Sequence, residues 1–310
     1  MFKHCLFLIG MFFLYPYAYG SDRIALVIGN SKYEDIGSLK NTINDATSIN
    51  NELKAIGYKT TLVTDLNENN LRRVIRRFSA DSENASVAVV YYAGHGAQIN
   101  GENYLLPVDL EIPKRESDVQ LSSIKVDDVI NSIKSRVKVV FLDACRDNPV
   151  LIKSLAKGRG SFRSALAPSN INSVENQTSG IFIAYATDSG NIASDGDGQA
   201  NSPFALALAK YLKEPISIDD MFSKVTREVR TKTNNAQKPF KYASLEDIFC
   251  LTGKCQTLKT QEEMKTGAQK DEIFKSENLV WSIFNLGGEN LETAWSINPK
   301  SIASEGSLIT

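Results

Sequence analysis

The sequence of 310 residues lacks several features that would indicate a function by themselves. Its formal net charge is only −1, so no excess of positive charge favours a nucleic-acid partner. The turn at residues 29–32 lacks the glycine spacing of either nucleotide-binding motif. After residue 20, no apolar run is long enough to cross a bilayer. These absences argue against a nucleic-acid-binding protein, a nucleotide-binding enzyme and a protein with internal membrane spans.

The first twenty residues have the layout of a secretory signal peptide. Lys3 opens a short positive start, residues 5–14 carry no charge, and Ala18 and Gly20 are small residues where a signal peptidase needs them. We expect residues 1–20 to be removed, which leaves a secreted or periplasmic protein without a membrane segment. A membrane anchor or a buried amino-terminal helix is the alternative.

Histidine and cysteine are scarce, with two and four residues in the whole chain. Without the signal peptide, the histidine is His95 and the cysteines are Cys145, Cys250 and Cys255. An odd number of cysteines in an oxidising compartment favours one thiol kept free for chemistry. A turn at residues 252–253 would let Cys250 pair with Cys255, which leaves Cys145 free. Zinc bound by the histidine and the three thiols is the alternative, but their spacing argues against it, and we assign no metal ligand.

Strand and helix patterns alternate along the chain. Short apolar runs predict strands at residues 24–28, 58–63, 87–92, 137–142 and 181–186. Helical spacing of apolar residues predicts helices at 45–56, 71–78, 126–133, 203–212 and 218–231, the last capped by Ser217. Asn100-Gly101 predicts a hairpin turn. This order indicates an α/β fold with a mostly parallel sheet and helices on both faces, a three-layer sandwich.

His95 and Cys145 both follow predicted strands, at the sheet edge where α/β proteins bind ligands. A thiol attacks a carbonyl as its thiolate, and a nearby imidazole is its usual activator. Gly94 and Gly96 would let the main chain turn sharply and approach a substrate. The amides of Gly96 and Cys145 could then stabilise an oxyanion. Either residue alone is typical of a structural role, but together they predict a Cys145–His95 dyad.

Two short segments resemble the signatures of a known superfamily. Residues 92–96 read Tyr-Ala-Gly-His-Gly, residues 143–147 read Asp-Ala-Cys-Arg-Asp, and the histidine and cysteine are 50 positions apart. The sequence resembles the caspase, metacaspase and bacterial orthocaspase superfamily from about residue 23 to residue 249. Shorter matches lie at residues 44–46, 186–187 and 237–239. The resemblance implies a caspase-like fold and cysteine endopeptidase activity.

The resemblance also implies a specificity. Caspases carry glutamine two residues before the nucleophile and cut after aspartate, whereas this chain has Asp143 there, as metacaspases do. By this resemblance Asp45, Asp143 and Thr187 line the primary pocket, and two carboxylates attract an arginine or lysine side chain and repel an aspartate. The alternatives are a helix-start charge for Asp45 and a loop-bracing hydrogen bond for Asp143.

The resemblance divides the mature chain into parts. Residues 21–255 form the peptidase domain, with a large-subunit-like part at 21–149, a linker at 150–178 and a small-subunit-like part at 179–255. Residues 256–310 form a tail or a small helical appendage. Residues 150–170 contain four basic residues and no acidic one, and flexible loops are readily nicked. We expect self-cleavage in this linker, after Lys157 or Arg159, and a peptide or protein as the partner.

The sequence leaves three questions open. Metacaspases often need calcium, but residues 195–198 lack the ligand spacing of an EF-hand and favour a glycine-rich turn. The sequence therefore requires no cofactor and leaves calcium and the oligomeric state undecided. The alternatives to a peptidase are a catalytically idle caspase-like module for binding or signalling and a non-peptidase α/β enzyme.

Overall fold

The computed structural model describes residues 22–145, 180–188, 193–196 and 198–256, and at Cys145 it describes the main chain. The expected signal peptide at 1–20, the whole of the expected linker at 150–178 with Lys157 and Arg159, and the tail beyond Gln256 lie outside the described residues. The chain divides into two units, Met1–Cys255 and Gln256–Thr310.

Eight strands and six helices are described in the first unit. The strands are β1 (Asp22–Gly29), β2 (Lys59–Thr64), β3 (Ala85–Ile99), β4 (Glu102–Leu105), β5 (Ile124–Lys125), β6 (Val137–Cys145), β7 (Ile181–Tyr185) and β8 (Phe240–Ser244). The helices are α1 (Thr42–Ala55), α2 (Glu68–Asp81), α3 (Glu116–Ser122), α4 (Val126–Ser132), α5 (Pro203–Tyr211) and α6 (Ile218–Lys232). Within these residues, no helix is long and apolar enough to span a membrane.

The central sheet has the order β2-β1-β3-β6-β7-β8. The first five strands pair in parallel, and β8 joins β7 antiparallel at one edge. Successive side chains of a strand point to opposite faces, so each central strand contributes to two cores. One core packs the sheet against α1, α5 and α6, and the other packs it against α2 and α4. The predicted three-layer α/β sandwich is confirmed.

Strand β3 is longer than the apolar run predicts. It continues past Tyr92 to Ile99 and changes partner at the site. Through His95 it pairs in parallel with β6, and from Gly96 onward it pairs antiparallel with β4. The predicted hairpin turn closes this second ladder, with φ of 53° at Asn100 and 83° at Gly101. Both residues lie in the left-handed region that such two-residue turns require.

Candidate active site

The register of β3 and β6 brings the histidine and the cysteine together. His95 and Cys145 are direct Cα partners and form the last pair of this parallel ladder. Neighbouring strands in a sheet lie about 4.8 Å apart, so the two main chains are adjacent. Because both strands run in the same direction, the pair lies at their carboxyl ends. The topology therefore unites two residues that are separated by 50 positions in the sequence.

His95 is held in an orientation that leaves a basic nitrogen. The residue is 4% exposed, and its Nε2 atom lies 2.8 Å from the carbonyl oxygen of Gly37. A carbonyl oxygen only accepts hydrogen bonds, so Nε2 carries the hydrogen and Nδ1 carries the lone pair. Burial lowers the pKa of His95, although the bond to Gly37 and the charge of Asp195 oppose this effect. The imidazole is therefore neutral near pH 7, as a general base must be.

Two tyrosine hydroxyls hold the main chain of His95. The amide of His95 donates to Tyr33 Oη at 2.7 Å, and Tyr92 Oη donates to the His95 carbonyl at 2.7 Å. A Cβ atom on Gly94 would lie 2.6 Å from each hydroxyl. Gly94 thus provides space for these hydroxyls, and the prediction that Gly94 and Gly96 form a sharp turn is wrong. Both glycines lie within the continuous strand β3.

Asp45 and Asp143 form a buried acid pair, in which the charge of Asp143 acts on Asp45. Each residue is 1% exposed. Asp45 Oδ1 accepts from Asn201 Nδ2 at 2.8 Å and from the amide of Ser202 at 3.0 Å. Asp143 Oδ2 accepts from Tyr91 Oη at 3.0 Å and from Ser202 Oγ at 2.7 Å. The two structural alternatives also hold, since Asp45 lies in the first turn of α1 and Asp143 accepts hydrogen bonds that brace its surroundings. However, the hydrogen bonds of each acid use only one carboxylate oxygen.

The other oxygens of these residues have no protein partner. Within the described residues, seven buried side-chain nitrogen or oxygen atoms make no hydrogen bond. Three of the seven are Asp45 Oδ2, Asp143 Oδ1 and Thr187 Oγ1. An unsatisfied buried polar atom costs about 1–3 kcal/mol, so native folds keep few of them. These three oxygens belong to the three residues expected to bind substrate, and each of them can accept a hydrogen bond.

The acid pair is electrostatically strained without such a cation. Burial raises the pKa of Asp45 to about 8, and the negative charge of Asp143 adds to this shift. Burial also raises the pKa of Asp143 to about 6, although the hydrogen bonds from Ser202 and Tyr91 lower it. A bound guanidinium or ammonium group would favour the ionised form of both carboxylates.

The chain after β7 stays next to β6 just before Asp143, since the amide of Ala186 donates to the carbonyl of Leu142 at 3.0 Å. Thr187 is 2% exposed and lies two positions beyond the end of β7. Gln237 is 1% exposed, and its Nε2 atom donates to the carbonyl of Ala186 at 2.8 Å. Its Oε1 atom accepts from the amide of Ser194 at 3.1 Å. Gln237 therefore braces both ends of the loop that follows Thr187.

A third acid was not anticipated in this role. Asp195 raises the pKa of both Asp45 and Asp143 by its charge, so it lies close enough to contribute to the same negative field. Its Oδ2 atom accepts from the amide of Lys40 at 3.1 Å, and the side chain of Asn41 donates to its carbonyl. The sequence was interpreted here as a glycine-rich turn, and Gly196 and Gly198 do have positive φ.

Five further contributors were also missed, namely Tyr33, Gly37, Tyr91, Asn201 and Ser202. Ser202 had a usable signal, since a serine directly before a proline is typical of a helix N-cap and first helical position. The others act through a main-chain carbonyl or through contacts far apart in the sequence. No local pattern marks such residues.

The remaining cysteines lie at the end of the domain. Cys250 and Cys255 form a disulfide with Cα atoms 5.4 Å apart, around a turn in which Gly253 has a φ of 83°. Among the described residues, no group of three or more histidine, cysteine, aspartate or glutamate side chains could hold a metal ion.

The sheet order and the site define a caspase-like α/β protein. The structure is similar to the crystal structure of caspase-1 from Spodoptera frugiperda, with a TM-score of 0.52 over 77% of this chain and 94% of that chain. The two sequences are 17% identical, so this likeness shows the fold. The family model of the caspase domain (Peptidase C14) matches residues 22–250. The chain belongs to this family, and the resemblance inferred from the two signatures is confirmed.

Two curated relatives match parts of the domain. The human mucosa-associated lymphoid tissue lymphoma translocation protein 1 is 26% identical over 210 residues, which are 67% of this chain and 24% of that protein. The paracaspase of Dictyostelium discoideum is 31% identical over 137 residues, which are 40% of this chain and 31% of that protein. The matches thus span about a quarter and about a third of these relatives' length.

Proposed function

We propose that this protein is a cysteine endopeptidase that cleaves peptide bonds after arginine or lysine. The observation that carries the proposal is the set of buried, unpartnered oxygens on Asp45, Asp143 and Thr187. Ser202, through its bonds to both carboxylates, links two of these residues, and β6 continues from Asp143 to Cys145 opposite His95. A cation held by these oxygens would place the following peptide bond near the dyad.

The chemistry follows from the groups at the strand ends. His95 Nδ1 takes the thiol proton, and the Cys145 thiolate attacks the carbonyl carbon, forming a C–S bond. In this proposal the amides of Gly96 and Cys145 donate to the developing oxyanion, each worth about 3 kcal/mol. The imidazolium returns its proton to the leaving amine as the C–N bond breaks. Water, deprotonated by the same imidazole, then hydrolyses the thioester and restores the thiol.

The alternative of a catalytically idle scaffold explains the acid pair less well. Two buried carboxylates with raised pKa values reduce the stability of the fold when they ionise. A scaffold that binds no cation could replace them with neutral residues of similar shape and gain stability. Groups that reduce stability are typical of functional sites.

A panel of fluorogenic peptides tests the proposal. The peptides differ only in the residue before the cut, which is arginine, lysine, citrulline or aspartate. We expect the arginine and lysine peptides to be cleaved and the citrulline and aspartate peptides to be cut slowly or not at all, with and without calcium. Cys145→Ala is the matched control for a contaminating peptidase. Cleavage mainly after aspartate or citrulline would refute the specificity, and equal cleavage by the control would refute the nucleophile.

The same proposal extends to the linker. An enzyme with this specificity would cut its own chain after Lys157 or Arg159. Wild type and Cys145→Ala, incubated separately and then sequenced at the new fragment ends, test this step. An intact wild type, or equal nicking of the variant, would show that self-processing is absent.

Amino-terminal sequencing of the exported protein would likewise test removal of residues 1–20 and secretion or a periplasmic location.

A further inference from the structure

Ser202 lies between the two carboxylates of the acid pair and is fully buried. Its amide donates to Asp45 Oδ1 at 3.0 Å, and its hydroxyl donates to Asp143 Oδ2 at 2.7 Å. The same hydroxyl accepts from the amide of Ala205 at 2.9 Å as the N-cap of α5. Two hydrogen bonds therefore determine the orientation of this side chain, and the third is made by the main chain of Ser202. The residue that begins α5 thus connects Asp45 on α1 with Asp143 on β6.

The bonds from Ser202, together with those from Asn201 and Tyr91, fall on one oxygen of each carboxylate and leave the other oxygen available. The tied atoms are Asp45 Oδ1 and Asp143 Oδ2, and the unpartnered atoms are Asp45 Oδ2 and Asp143 Oδ1. A carboxylate free to rotate could turn either oxygen toward the other carboxylate, and repulsion would separate the pair. Two donors from one residue instead hold both carboxylates close together. The amino end of α5 also places a partial positive charge beside them.

We propose that Ser202 is a positioning residue of the specificity pocket, which ties one oxygen of each carboxylate and so presents the other oxygen to the substrate cation. The inference rests on the proposed function, because it concerns the pocket for arginine or lysine. Ser202 touches the acids and not the substrate. Its effect should therefore appear in the discrimination between a charged and an uncharged side chain.

The molecule offers a matched control for the loss of a helix cap. Ser217 caps α6 as Ser202 caps α5, and its hydroxyl accepts from the amide of Asp220 at 3.0 Å. The Ser217 hydroxyl donates its other hydrogen bond to the exposed side chain of Asp220 and not to Asp45 or Asp143. Removal of either hydroxyl costs a cap of similar strength. A difference between the two variants therefore reports on the acid pair.

Binding to an inactive protein separates this inference from catalysis. We would use Cys145→Ala as the parent and measure Kd for a short fluorescent peptide with arginine before the cut position and for its citrulline counterpart. The parent should prefer arginine. Adding Ser202→Ala should reduce the ratio of the two Kd values about tenfold, the effect of one lost hydrogen bond to a charged group. Adding Ser217→Ala should leave the ratio unchanged.

The pH dependence of the same ratio gives a second readout. The groups that act on the two carboxyls are Asp45 and Asp143 themselves, Asp195, Tyr91, Asn201 and Ser202. Arginine binds the ionised pair, so its affinity should rise with pH up to the raised pKa of Asp45, about 8. The Ser202 hydroxyl lowers the pKa of Asp143. Ser202→Ala should therefore shift the rise to higher pH, whereas Ser217→Ala should not.

The possible results of the binding experiment distinguish a failure of the basic pocket from a failure of the role of Ser202. A parent that binds arginine and citrulline equally well would refute the basic pocket and this inference with it. A parent that prefers arginine, combined with an unchanged ratio and pH profile in Ser202→Ala, would refute only the role of Ser202. If Ser202→Ala does not fold, Ser202→Cys keeps the volume but replaces the hydroxyl with a weak donor. That variant should lose the preference to the same extent, and full retention of the preference would overturn the inference.

Discussion

The two halves of β6 are equally buried but chemically opposite. Val139, in the first half, is 0% exposed and packs in the core, whereas Asp143, in the second half, is 1% exposed and has an oxygen without a partner. Even the charged residue of the first half is satisfied, because Lys138 Nζ donates to the Ile130 carbonyl at 3.3 Å. The comparison shows that the first half of the strand stabilises the fold through apolar packing. The second half carries a buried acid that lowers the stability of the fold when it ionises.

Substitution of the dyad should have the largest effect. Cys145→Ala and His95→Ala should each lower kcat/KM for arginine peptides by at least about a thousandfold. Because the two residues act as a unit, the double variant should be hardly worse than either single one. Steady-state kinetics measures this, and thermal unfolding serves as the control for an intact fold. Substantial turnover by His95→Ala at neutral pH would contradict the assignment of the base.

Asp143→Asn should separate charge recognition from catalysis. Loss of a desolvated charge partner should lower kcat/KM for arginine peptides, because the cation then faces one carboxylate less. The corresponding loss of transition-state stabilisation should be about 2–5 kcal/mol. Residual cleavage of the citrulline peptide should change far less. The pH profiles should also differ in wild type: the acid limb for arginine follows the raised pKa values of the acid pair, and the limb for citrulline follows the lowered pKa of His95. Identical limbs would contradict this separation.

Val139→Ala tests the first half of the same strand. The loss of two buried methyl groups should lower the free energy of unfolding by about 2 kcal/mol. The preference for arginine over citrulline should stay as in wild type, since Val139 contacts the core and not the pocket. Urea unfolding combined with the two-peptide assay measures both effects. A changed preference would mean that the two halves are coupled more strongly than their packing indicates.

Asp45→Asn should give a gain in stability that depends on pH. The folded-state pKa of Asp45, about 8, lies above its ordinary value of 3.8, so the folded chain binds more protons than the unfolded chain between these values. The free energy of unfolding should therefore fall as pH rises through this window. In Asp45→Asn this fall should be smaller, and the variant should melt at a higher temperature than wild type near pH 8. Melting curves across the window check this, and parallel curves for both proteins would contradict it.

The strands and the order of the site residues could be predicted because their signals are local. Continuous apolar runs such as residues 87–90 indicate buried parallel strands, and the residues after such runs must lie at one edge of the sheet. Helix ends were less predictable. Helix α2 begins at Glu68 rather than residue 71, since its first turn is polar and is capped by Asn67. The short α3 and the antiparallel β8 lack a strong apolar period, so periodicity did not reveal them.

The sequence by itself determined that one histidine and one cysteine would lie at the carboxyl ends of strands, because chain order and apolar periodicity decide where strands stop. Only the tertiary structure decided which atoms act. Gly37 orients His95 through a carbonyl that every residue possesses, so no residue type could indicate it. Ser202 reaches Asp45 across 157 positions. Contacts between such distant segments depend on the packing of α5 against the sheet. That packing brings Ser202 to one oxygen of each carboxylate and leaves the other oxygen without a protein partner.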